Sequence, residues 1–118
     1  MEPNLPNIEF LQGLRRALKF GQVNRNLLKF GVGADFAGNG PCPASEMFVE
    51  NFKRAIDSGL ITNAELANPS LITNIDTSAP ADSFFVLECV RAGAFGQLTN
   101  IIPDGGSGNG GGIGGGGV

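Results

Sequence analysis

Apolar residues at positions 8, 11, 14 and 18 recur at helical spacing behind Asn7, a residue type whose side chain accepts hydrogen bonds from the first free N–H groups of a helix. The pattern predicts a first helix closed by Gly21, with Arg15, Arg16 and Lys19 off its apolar stripe. Asn24 heads a second, shorter run through Leu27, Leu28 and Phe30, closed by Gly31. The two ends echo each other: Arg15, Leu18, Lys19, Phe20 and Gly21 recur as Arg25, Leu28, Lys29, Phe30 and Gly31. A spacing of ten is too short for a stacked repeat, so the echo reads as two similar helix endings. In each, lysine meets the negative helix C-terminus and glycine takes the left-handed turn.

Residues 31–43 are rich in glycine and proline and read as a loop. A third helix is expected from about Pro43 to Ser58, with Pro43 in its first turn. Phe48, Phe52, Ala55 and Ile56 form one face, and Glu50 is placed to pair with Arg54 one turn on. Gly59 marks the exit. Thr62 to Glu65 fits a capping box for a brief fourth helix that stops before Pro69. Residues 70–81 are turn-rich. In the run from Phe84 to Ala92 periodicity does not choose: aromatic and β-branched content suits a strand, whereas a cap at Asp82 or Ser83, the Glu88/Arg91 spacing and Gly93 suit a helix. The helix is the reading taken. The fold class is therefore all-α, a small bundle of 3–5 short helices, with α+β as the alternative if 84–92 is a strand. The organisation read from the chain is an extended N-terminal arm (1–6), a single small helical domain (7–102) and a glycine-rich C-terminal arm (103–118).

Composition changes this picture at the arm. Residues 105–118 hold ten glycines, and ordering such a segment costs on the order of 1–2 kcal/mol of backbone entropy per residue. Extensive contacts must hold it wherever it is fixed, and a neighbouring subunit is their expected source. Charged residues are 16 % of the chain, below the usual quarter or so, which suits a subunit whose surface is covered by partners. The net charge of −3 is unevenly spread: residues 1–30 carry five cations against two acids, and the remainder three cations against nine acids. Contact between copies is one use of that split; a solvated basic helix face is the plainer one. The start of the chain has neither the basic opening nor the apolar run of a secretion signal, and no window approaches the ~18 apolar residues of a membrane span. The expectation is a protein made in the cytoplasm and carried in a virion, with Cys42 and Cys89 kept as thiols.

Candidate chemistry is sparse. The chain has no histidine, tyrosine or tryptophan, so it lacks an imidazole base and any Ser-His or Cys-His nucleophile pair. Two cysteines without histidine do not make a four-ligand zinc site within one chain. Glu46 and Glu50 lie one turn apart, as paired catalytic carboxylates could, but beside Lys53 and Arg54 they read as a solvated helix side. Three motif likenesses fail at the residue that would do the chemistry. Phe36 stands where a dinucleotide fingerprint needs its third glycine, Arg54 and Ile56 where a calcium loop needs oxygen ligands, and Gly110 where a calcium β-roll needs aspartate. The nine phenylalanines read as core or interface residues. No catalytic, cofactor-binding or metal site is assigned, no cofactor is expected, and the chain is read as not an enzyme.

Three functions fit. The first is a structural or assembly subunit of a larger particle, a viral or phage capsid, cement or tail component. Its partners would be other copies of itself or another structural protein, with no membrane and no small-molecule substrate. Its candidate interface residues are Arg15, Arg16, Lys19, Ile101, Ile102, Ile113 and Val118. The second is a small helical nucleic-acid-binding regulator using the cations between residues 15 and 29. The third is an adaptor or accessory domain.

Overall fold

The computed structural model describes residues 4–34 and 42–104, and every regular element among them is helical. Five helices form a small compact bundle: α1 (Ile8–Lys19), α2 (Arg25–Phe30), α3 (Glu46–Asp57), α4 (Asn63–Ala67) and α5 (Ser83–Ala94), with a 3-10 turn at Pro69–Leu71. Ile113, Val118, Phe36, half of the expected N-terminal arm and the greater part of the C-terminal one lie outside the described residues. The strand alternative for 84–92 is set aside, because that run lies inside α5. The Asp82 carboxylate accepts the N–H groups of Phe84 and Phe85 at 2.8 and 3.1 Å and so starts the helix. Its periodicity is blurred because Phe84 is exposed while Phe85 and Val86 pack on the core.

Local signals place most helix ends. Asn7, Asn24 and the Thr62/Glu65 capping box act as expected, and Arg54 donates to Glu50 at 3.1 Å. Three expectations need correction. α3 begins at Glu46, not Pro43, because the Ser45 hydroxyl accepts the Phe48 N–H at 3.1 Å and supplies the cap. Ile8, placed on the apolar stripe, is exposed, whereas Arg15, placed off it, is buried. Lys19 and Lys29 do not cap their own helices. Lys19 reaches the Ile72 carbonyl at 2.8 Å, and Lys29 donates to the carbonyls of Thr99 (2.8 Å) and Ile102.

A repeat longer than the echo of ten organises the bundle. The caps Asn7, Ser45 and Asp82 follow one another at 38 and 37 residues, and each opens a helix of 12 residues. At those two spacings Phe10, Phe48 and Phe85 correspond, as do Leu14, Phe52 and Cys89, then Ala17, Ala55 and Ala92. Each long helix leaves through a glycine at positive φ, Gly21, Gly59 and Gly96, where a β-carbon would strain the backbone. Behind that glycine the chain folds back, with Gln22, Leu60 and Gln97 donating their N–H groups to the carbonyls of Ala17, Ala55 and Ala92 at 2.8, 3.1 and 2.9 Å. Val23, Ile61 and Leu98 then turn into the core. α2 and α4 follow in the first two units. In the third, one turn ending at Ile102 takes their place, because Pro103 has no N–H with which to continue a helix.

The three units meet at the first turns of their long helices. The rings of Phe10, Phe48 and Phe85 form a nearly equilateral triangle, with centroids 5.1, 5.3 and 5.4 Å apart at tilted to edge-on angles. Offset and edge-on pairs of this kind add about 0.5–1.5 kcal/mol each beyond area burial. Phe52 lies fully buried beside the triangle, 6.0 Å from Phe10.

The joints between units repeat too. Gln22 of the first unit clamps the backbone of Ala81 ahead of the third, through Nε2 to its carbonyl (3.0 Å) and from its N–H to Oε1 (2.9 Å). Gln97 of the third unit does the same to Ala44 ahead of the second, at 3.0 and 2.8 Å. The corresponding pair at the remaining joint is Leu60 and Pro6, neither of which is able to form that clamp. A second equivalent bond joins each cap to the next unit: the Asn7 N–H donates to Asn51 Oδ1 (2.7 Å) and the Ser45 N–H to Glu88 Oε1 (3.0 Å). At the third joint the matching position is Gly13, whose missing side chain admits the Phe85 ring.

Candidate interaction face

The first turns of α1, α3 and α5 come together at one end of the bundle, over the phenylalanine triangle. Their caps and the three rings line a common open cleft of about 570 Å³, together with Glu9, Gly13, Arg16, Met47, Asn51 and Glu88. Around it each unit presents one exposed apolar side chain from its first turn: Ile8, Met47 and Phe84, which are 64 %, 76 % and 80 % exposed. Such side chains project into water although the same helices bury apolar residues one turn further on. Scattered exposed apolar residues are ordinary; of these three, Met47 lines the cleft over its aromatic floor.

Each unit also brings one carboxylate to this end: Glu9, Glu46 and Asp82. Among the described residues none of the three makes an ion pair, and Asp82 caps α5. One arginine per unit, Arg16, Arg54 and Arg91, stands at the equivalent position of the long helix. These cations pair with Asp76 (3.8 Å), Glu50 (3.1 Å) and Glu88 (3.5 Å), and of these residues Arg16 and Glu88 themselves line the cleft. Each helix N-terminus contributes a partial positive charge of about half a unit, less than the carboxylate beside it, so the face is net negative.

Of the described residues singled out in the sequence as interface candidates, all but Arg16 lie away from the cleft. Arg15 is buried and directs Nη2 to the Leu60 carbonyl at 3.4 Å, and Lys19 holds the strap of residues 70–72. Arg16 borders the cleft. Ile102 is 1 % exposed within the core and Ile101 packs half-buried against it. Of the five candidate interface residues that are described, Arg15 and Ile102 are buried and Lys19 is held by residues 70–72, so these five do not form one exposed surface. Met47 and Phe84 escaped notice because the signal that unites them is the repeat, in which Glu9 holds the corresponding place in α1; Ile8 stands one residue off that register. Among the described residues no group of three acidic or sulfur side chains is arranged to hold a metal ion, and no helix is long and apolar enough to cross a membrane. Cys42 is exposed and Cys89 buried, and both are free thiols. Burial, with the Glu88 charge adding to it, pushes the Cys89 thiol far above its ordinary range.

No known protein family, no curated protein and no solved structure matches this chain.

Proposed function

We propose that this protein is a non-enzymatic structural subunit that works by protein–protein contact inside a larger assembly, with a virus or phage particle as the setting that its arms and low charge suit best. The observation that supports the reading is the end face: Met47 exposes its apolar side chain at a cleft floored by three phenylalanines, and Ile8 and Phe84 are exposed in the first turns of the other two helices that line it. The cations that would serve a nucleic-acid-binding regulator are mostly engaged by their own chain. Arg15, Lys19, Arg25 and Lys29 all donate to carbonyls of other segments, which weighs against that second reading. Light scattering on the size-fractionated full-length protein, followed by electron microscopy, tests the proposal. A large homogeneous assembly, lost when residues 105–118 are deleted from a chain that stays helical, is the expected result. A monomer at every concentration, with or without those residues, refutes it and favours the adaptor reading.

A further inference from the structure

We infer that the end face receives a partner segment that presents an apolar side chain flanked by lysine or arginine. This rests on reading that end of the bundle as a contact surface, and it names the chemistry of what is contacted. The cleft has the form of an anchor site. Phe10, Phe48 and Phe85 make its floor, while Met47, with Ile8 and Phe84 nearby, supplies apolar surface that only a partner would cover. Burying those side chains supplies the drive, and aromatic and thioether groups tolerate varied apolar shapes. The charge pattern selects the flanks. Glu9 and Asp82 line the cleft and Glu46 directly precedes Met47, while Arg16, Arg54 and Arg91 are engaged by Asp76, Glu50 and Glu88. Cations in the partner would meet carboxylates left without ion pairs, which is the complementarity that fixes register and speeds encounter.

The same pattern argues against a second copy of this chain as the occupant. Two copies meeting end to end would set three carboxylates against three carboxylates at the edge of the buried patch, where like charges cost most. Nor is the face built for an anion. The first-turn N–H groups are already taken by Asn7, Ser45 and Asp82 side chains.

The test uses the full-length, isotope-labelled protein and two short capped peptides. One carries a Phe-Leu pair flanked on each side by two lysines; its twin carries glutamates in place of the lysines. The lysine peptide is expected to shift the amide resonances of the first turns of α1, α3 and α5, and the glutamate twin to bind at least about tenfold more weakly. Met47→Ser with Phe84→Ser should cut the lysine peptide's affinity about tenfold or more, as truncated anchor residues do. Both side chains are more than three-quarters exposed, so the spectrum of the variant should otherwise match the parent. Glu9→Gln with Glu46→Gln should erase most of the preference for lysine while leaving the apolar contribution. Equal binding of both peptides, shifts confined to another surface, or no shifts at all overturns the inference. Resonances at this face that move with protein concentration alone would show a second copy seated there and overturn it too. Assembly is scored separately: a monomer that binds the lysine peptide at this face keeps the inference and loses the particle reading, and an assembled protein with an unresponsive face does the reverse.

Discussion

Gly93 sits where α5 meets α2, and replacing it with alanine tests the tightest contact between the first and third units. A β-carbon built there lands on the carbonyl oxygen of Leu27 and 3.0 Å from its carbonyl carbon, far inside van der Waals contact. The obstacle is backbone, so no rotamer change relieves it. α2 itself has to move by about 1 Å, a displacement that forfeits a quarter to a half of the dispersion energy across the contact. That movement also pulls Leu28 from full burial and stretches the bonds from Lys29 to Thr99 and Ile102. The gross cost is about 3–5 kcal/mol, similar to truncating a large core side chain. Removing a helical glycine returns about 1 kcal/mol. The net expectation is a loss of about 2–4 kcal/mol, which lowers the melting temperature by roughly 10–30 °C for a domain of this size. Gly21→Ala is the control: nothing lies within 4 Å of its added β-carbon, so it bears only the left-handed strain of about 1–2 kcal/mol. Chemical denaturation of both variants gives the comparison. If Gly93→Ala costs less than Gly21→Ala, the two helices do not approach as described and the account of this joint fails.

Lys29→Met should destabilise by about 2–4 kcal/mol in urea titration, because two carbonyls lose a buried charged donor; a neutral result would mean water replaces it. A thiol reagent should label Cys42 alone in the native protein and both cysteines after denaturation; rapid native labelling of Cys89 would contradict its burial. Below the ordinary thiol value of 9.0 both folded and unfolded chains hold the Cys89 proton. As pH rises above it only the unfolded chain releases that proton, so stability should fall in alkali, and Cys89→Ala should flatten the fall. Joining residue 118 to residue 1 and opening the chain within residues 35–41 should give a permutant with the same circular dichroism. The two natural linkers, 31–44 and 68–81, each span 14 residues between units, and 103–118 with 1–6 is longer than either. A permutant that fails to fold would show that the three units are not interchangeable in chain order.

The parts of the fold legible in the sequence are those fixed by neighbours along the chain. Asn7, Asn24 and Thr62 act on N–H groups two or three residues away, and Gly21, Gly31 and Gly59 answer to local dihedral need, so all were readable. The fate of Lys29 was not, since its carbonyl acceptors lie 70 and 73 residues downstream. The repeat was hidden for a different reason. The positions that recur are a cap, a phenylalanine, an alanine and a glycine, and between them Leu14, Phe52 and Cys89 fill equivalent core space with different volumes. The Lys-Phe-Gly echo at ten residues was the more visible likeness and the structurally less meaningful one. The caps and the phenylalanine floor of the candidate face followed from the repeat, whereas its exposed apolar tips and carboxylates keep no common register.

The unequal joints determine which unit sits beside which. Seat the units in the wrong cyclic order, and a glutamine faces Pro6. That residue offers a carbonyl but no N–H, so the amide oxygen enters the joint with no donor, at a cost of about 1–3 kcal/mol. The matching bond is equally particular, since Asn51 and Glu88 reach the chain ahead of their neighbours while Gly13 leaves a slot that only a ring fills. Three near-copies of one hairpin would otherwise be free to shuffle. Their differences work as wards on a key, and they admit a single arrangement of the chain.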